Sequence, residues 1–177
     1  MQGFEADAGL ASVKLVASDM DCTLLADDGS MPPNMPELIE ALADAGVTFC
    51  AASGRPLYTL RAMFGDYVDR MALLSDNGAA IWCAGELVFK DLIDVATYHE
   101  LIDFTLADGR GCPVVCGIES GYLRTCDRVH DAFFRRFFTE ITYLDDLDSL
   151  DADVNKYTVY FPEGDSEEVF ARTYRDA

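Results

Sequence analysis

Three short polar runs carry the residues of this chain that could do chemistry: Asp19-Met20-Asp21-Cys22-Thr23, Ser53-Gly54-Arg55 and Asp76-Asn77-Gly78. A carboxylate attacks phosphorus competently and forms an acyl phosphate. A second carboxylate nearby can protonate the leaving oxygen and then take a proton from the attacking water. Like charges so close resist joint ionisation, so a divalent cation is expected between Asp19 and Asp21. Magnesium suits a ligand set of carboxylate, carbonyl, water and phosphate oxygens. Ser53, read as lying at a helix start, could hold a phosphate oxygen beside free N–H groups. Each group has a plainer reading as well. The aspartates could form an acidic turn, Ser53 could simply cap a helix, Arg55 could pair at the surface, and Asn77-Gly78 could make a turn.

Each polar run closes an apolar one. Residues 13–18 (VKLVAS), 47–53 (VTFCAAS) and 71–75 (MALLS) read as strands, the first of them buried. Between them lie two helices. One starts at Asn34, with Glu37 completing a capping box, repeats Leu38, Ile39, Leu42 and Ala45 along one face, and stops at Gly46. The other spans GRPLYTLRAMF, with Leu57, Leu60 and Phe64 on one face. Alternating strands and helices with short links predict parallel βαβ units, whose ligands gather at the carboxyl ends of the strands.

After Gly78 the pattern changes. A hairpin is expected about Ala84-Gly85, then a helix over VATYHELIDFTLA with Val95, Tyr98, Leu101, Ile102 and Leu106 aligned. A strand pair follows over 112–126, with Gly121 near its turn. Residues 128–138 read as a helix striped by Val129, Phe133, Phe134 and Phe137. An acidic loop over 144–154 leads to a strand at 156–161 and a last helix from Pro162, capped by Asp165 and Glu168. The expected organisation is therefore an α/β core over 1–90, a partial doubly wound parallel sheet, and an α+β unit over 91–177.

Composition narrows the function classes. Thirteen Lys and Arg against 32 Asp and Glu give a formal charge of −19, which repels nucleic acid and anionic membrane. It would equally repel a phosphorylated ligand unless a cation screened the site. No apolar run reaches 18 residues, and the acidic N-terminus does not read as a signal peptide. Six cysteines (22, 50, 83, 112, 116 and 126) include no CxxC, and the two histidines, His99 and His130, sit at no zinc spacing. Cys50 and Cys83 read as core residues, the histidines as surface residues on helices. A reducing cytoplasm is the expected setting.

DMDCTLL, ASGRP and SDNGA together resemble the haloacid dehalogenase superfamily of phosphohydrolases, in its Cof-like branch of sugar-phosphate and related phosphatases. The resemblance covers nearly the whole chain. It implies that Asp19 is the nucleophile and Asp21 the general acid and base, with Met20, Ser53 and Gly54 binding phosphate and Arg55 and Asn77 lining the substrate. It implies Mg2+ held by the Asp19 carboxylate and the Asp21 carbonyl, plus an acid from a later motif. Residues from about 91 on would form a cap domain, and the substrate would be a small phosphorylated metabolite.

The departures are as informative. Cys22 stands where the family has glycine, whose freedom permits a tight turn. The family's lysine and its closing Gly-Asp segment have no match, since Lys14, Lys90 and Lys156 are the only lysines and none is placed for that role. GDYVD (65–69) reads as a turn rather than as that metal motif. The chain is accordingly expected to be part of a longer protein and weakly active alone. Its first strand should then form an open edge prone to self-association. A phosphomutase-like transferase and a non-catalytic binding module are the rival readings.

Overall fold

The structure is a computed structural model that describes residues 12–175. The expectation that no leader occupies the N-terminus, and the end of the last helix, fall on residues outside that range. The apolar runs form β1 (Leu15–Asp19), β2 (Thr48–Ala52) and β3 (Ala72–Ser75), with α1 (Met35–Asp44) and α2 (Leu57–Phe64) as crossovers. β1 pairs parallel with β2, and β2 with β3. β4 (Ala80–Cys83) turns back antiparallel to β3, and β5 (Glu86–Lys90) completes the order β1-β2-β3-β4-β5. Ala84 and Gly85 both have positive φ (49° and 88°), the backbone of a two-residue hairpin turn that matches strand twist.

One face of this sheet is sealed by Met35, Ile39, Leu57, Leu60, Phe64, Phe49 and Leu73, joined by Met20. Burying each such side chain contributes about 1.5–3 kcal/mol. Gly46, at φ 72°, ends α1 by a double closure in which its N–H reaches the Ala43 carbonyl (3.0 Å) and that of Val47 reaches Leu42 (2.9 Å). β1 departs from its expected burial. Among the described residues no strand pairs with its outer side, and Leu15 and Val16 are 56% and 39% exposed.

Compact units divide between Phe89 and Lys90. The second unit holds a four-stranded sheet of order β8-β7-β6-β9, from β6 (Cys112–Gly117), β7 (Gly121–Arg124), β8 (Ile141–Leu144) and β9 (Val154–Tyr160). β6 runs antiparallel to β7 and β9, whereas β7 and β8 run parallel. α3 (Val95–Asp108) buries Tyr98 and Ile102 against Val115, Leu147, Leu150 and Val154. The Tyr98 hydroxyl donates to the Leu150 carbonyl at 2.7 Å, and His99 Nε2 meets the same oxygen at 2.8 Å. His99 is thus a half-buried bracing residue rather than a surface one.

Four further expectations need correction. Neither Asn34 nor Asp165 makes a side-chain cap bond, because ψ values of 12° and 20° place them outside the extended region from which a cap reaches back. Asp94, extended at ψ 154°, does cap α3 by accepting the Thr97 N–H at 3.0 Å. The helix expected over 128–138 is a 3₁₀ turn over Thr125–His130 followed by the short α4 (Asp131–Phe134). The three-residue period rotates Val129 off the apolar face, leaving it 81% exposed while Phe134 is buried. The last helix begins at α5 (Ser166–Val169) and continues as a wider turn over Phe170–Tyr174.

Candidate active site

The parallel register sets the site. Asp19, the last residue of β1, lies beside Ala52, and Ala52 lies beside Leu74. Adjacent strands are about 4.8 Å apart, so the residues just past each strand end share one rim of the sheet. Backbone bonds lock the second and third loops together. The Ser53 N–H donates to Leu74 (2.8 Å), the Asp76 N–H to Arg55 (3.0 Å) and the Asn77 N–H to Ser53 (3.2 Å).

Past β1 the chain makes a tight turn over Met20–Leu24, closed by the Leu25 N–H on the Met20 carbonyl at 2.8 Å. Cys22 adopts φ 59° and ψ 12°, a left-handed conformation that glycine takes freely and that costs other residues about 1–2 kcal/mol. Strain at this position is therefore real. The Met20 side chain is fully buried in the core, so only its backbone can meet a ligand. Asp19 is exposed and accepts the Thr23 hydroxyl at 3.2 Å. Thr23 is thus a member of the site to which the sequence assigned no role.

Arg55 reaches back to Asp21 in a forked pair, Nε to Oδ2 at 3.2 Å and the terminal amino group to Oδ1 at 2.7 Å. Its hydrogen bonds outweigh partial desolvation, and its charge adds to them, holding the Asp21 carboxyl below the ordinary carboxylate range. Asp21 is therefore ionised at neutral pH: ready to accept a proton, unable to donate one. Arg55 thus makes the ion pair of its plainer reading, and makes it with Asp21 at the rim of the sheet.

Ser53 is buried, and its hydroxyl oxygen accepts the Arg55 N–H at 3.1 Å. It does not stand at a helix start. α2 begins at Leu57 because Pro56 holds φ −62° and ψ 152° and biases Arg55 away from the helical region. Gly54 lets the loops approach closely, since a Cβ there would lie in tight contact with the Asn77 side chain, 3.2 Å from Oδ1 and 3.3 Å from Nδ2. Asp76 and Asn77 take φ 52° and 61°, and Asp76 is buried. Asp19 at the end of β1, together with Met20, Asp21, Ser53, Gly54, Arg55 and Asn77 on the loops that follow β1, β2 and β3, thus falls on one rim of the sheet. Among the described residues, no three His, Cys, Asp or Glu side chains gather in a way that could hold a metal. Asp19 still offers a carboxylate and Asp21 a main-chain carbonyl, a partial set of the kind magnesium completes with water and phosphate.

A family model described as haloacid dehalogenase-like hydrolase matches residues 16–177. The chain is 25% identical over 142 residues to the 5-amino-6-(5-phospho-D-ribitylamino)uracil phosphatase YbjI of Escherichia coli K12, covering 79% of this chain and 52% of that protein. The fold is shared with SMU.1108c of Streptococcus mutans (TM-score 0.79, 24% identity, 90% of this chain and 61% of that one). It is shared also with the sugar phosphatase BT4131 (TM-score 0.67, 18% identity, 92% and 64%). The chain spans about half to two thirds of the length of these relatives.

Proposed function

The chain belongs to the haloacid dehalogenase-like hydrolases, and from that premise we propose that it carries the nucleophile-bearing part of a magnesium-dependent phosphomonoester hydrolase. The observation behind this reading is the convergence of Asp19, Asp21, Ser53, Arg55 and Asn77 on one rim of a parallel sheet. The substrate class is a small metabolite bearing a phosphate on a sugar or polyol carbon, in keeping with YbjI as a 5-amino-6-(5-phospho-D-ribitylamino)uracil phosphatase and BT4131 as a sugar phosphatase.

Asp19 attacks phosphorus and takes the phosphoryl group as an aspartyl phosphate. The Ser53 hydroxyl, the Gly54 N–H and the Met20 backbone receive the phosphate oxygens. Asp21 protonates the departing alkoxide, then deprotonates the water that cleaves the intermediate. Mg2+ held by the Asp19 carboxylate and Asp21 carbonyl would neutralise charge between nucleophile and phosphate.

Arg55 gives the cycle its order. While paired with Asp21 it holds the base form, which suits the second half-reaction. Drawn onto an incoming phosphate it releases Asp21, whose carboxylate then takes a proton from solvent and passes it to the departing alkoxide in the first. Lys14 lies before β1, at the end opposite Asp19, so Arg55 is the cation that the described first-unit geometry gives the site. With one guanidinium serving two groups, turnover by this chain is expected to be slow. The residues from about 91 on are read as the cap domain that the family resemblance implies. Phosphate release from a panel of sugar and polyol phosphates, assayed with and without Mg2+, tests the reading. Slow metal-dependent release lost in Asp19→Asn supports it. Release that Asp19→Asn leaves intact rejects it, and transfer to a second sugar in place of release turns it into a mutase.

A further inference from the structure

β5 is the outermost strand of the first sheet, opposite to the edge made by β1, and all five of its residues are exposed. Its sequence is Glu86-Leu87-Val88-Phe89-Lys90, with Leu87, Val88 and Phe89 at 36%, 58% and 47% exposure. An edge strand of this kind presents unpaired backbone groups, and proteins ordinarily blunt it with charge or cover it. Here the charges stand only at the two ends, with opposite signs.

We propose that β5 is a self-association edge whose partner is β5 of a second copy of this chain. Two antiparallel copies related by a two-fold axis through Val88 set Glu86 against Lys90 of the partner subunit, and Lys90 against the partner's Glu86. Leu87 then faces the partner subunit's Phe89 on the other side of the sheet, and Val88 faces its own copy. Directly opposite residues share a face in an antiparallel pair, and opposite charges or apolar pairs there stabilise it. The pattern is self-complementary, as a two-fold interface requires. β1 lacks this property: a two-fold axis through Ala17 sets Leu15 against the partner's Asp19, and one through Val16 sets Lys14 against the partner's Ser18. The self-association expected of the exposed β1 edge is thus assigned to the opposite edge. Lys90 already pairs with Asp153 of its own chain, and that pair can share the ammonium with the partner's Glu86.

Two five-residue strands bury less than the roughly 1,000 Å² of a stable interface, so the dimer is weak and concentration-dependent. Sedimentation velocity on the 177-residue chain, from about 1 μM to about 1 mM, reads it directly. The expected result is a monomer–dimer equilibrium weakened at least about tenfold by Glu86→Lys, which sets two like-charge pairs across the axis. Lys90→Glu should do the same. An equimolar mixture of the two variants should recover the dimer as a heterodimer, since every opposed pair is again complementary. Val88→Lys, placing two ammoniums on the axis, should also abolish association. A chain that stays monomeric throughout, or a dimer that survives both Glu86→Lys and Val88→Lys, overturns the proposal.

Discussion

Two of the forked arginine–aspartate pairs among the described residues, Arg55–Asp21 and Arg124–Asp127, differ in almost everything except their chemistry. Arg55 holds Asp21 at the rim of the first sheet, where the Asp21 side chain is 53% exposed. Arg124 holds Asp127 at the end of β7 by bonds of 2.8 and 2.9 Å, where Asp127 is only 8% exposed. The second pair is local, three residues apart on a 3₁₀ turn, and packs beside the buried Cys112 thiol. The first joins loops 34 residues apart, beside three residues in left-handed conformations, Cys22, Asp76 and Asn77. A buried pair fixes structure because breaking it strands a charge. An exposed pair is cheap to open, so it can take part in a cycle.

The largest effect should come from breaking the buried pair. Asp127→Ala leaves the Arg124 guanidinium without its partner and should cost about 3 kcal/mol in urea melts, against at most about 1 kcal/mol for Arg55→Ala. Equal costs would erase the distinction drawn between them. The pH response should differ as well. Because Arg55 lowers the Asp21 carboxyl, its contribution to stability is present above the ordinary carboxylate range, near pH 4, and is lost as pH falls through the lowered value. The wild-type and Arg55→Ala melts should therefore converge in acid. In an NMR titration of the Asp21 side-chain carbon, the midpoint should rise toward 4 in Arg55→Ala; an unchanged midpoint would show that Arg55 is not the cause.

Thiol chemistry sharpens the contrast. Burial, reinforced by the Asp127 charge, pushes the Cys112 thiol up to about 12, whereas Cys22 and Cys126 are exposed. Iodoacetamide on the native chain should label Cys22 and Cys126 and spare Cys112 and Cys116, read by peptide mass mapping. The smallest effect belongs to the turn itself. Cys22→Gly relieves a left-handed residue and should raise stability by up to about 1 kcal/mol, or roughly 2–4 °C in Tm for a chain of this size.

The first unit was legible where local chemistry decides. Apolar runs ended by polar ones placed β1, β2 and β3, Gly46 placed the end of α1, and Ala84-Gly85 placed the hairpin. The capping boxes failed because the Asn34 and Asp165 backbones never enter the extended region that a cap needs. β8 escaped notice because Ile141–Leu144 is short and gains its register from β7, through a non-local parallel pairing. The exposure of β1 was foreseen only through the resemblance, since an apolar run carries no sign of whether it is central or at an edge. The three polar runs were readable from their types and positions. The Arg55–Asp21 pair was not, because nothing in a single sequence links a charge at 21 to one at 55.

Asp19 is the group proposed to accept phosphorus, with Asp21 working beside it. The direct measurement is single-turnover phosphorylation of the chain by acetyl phosphate with Mg2+, quenched in acid and read by intact mass and peptide mapping. One phosphoryl group should appear on Asp19, be absent in Asp19→Asn, and persist longer in Asp21→Asn, where the base that activates the hydrolytic water is gone. A label that maps to another residue, or that survives Asp19→Asn unchanged, would contradict the assignment.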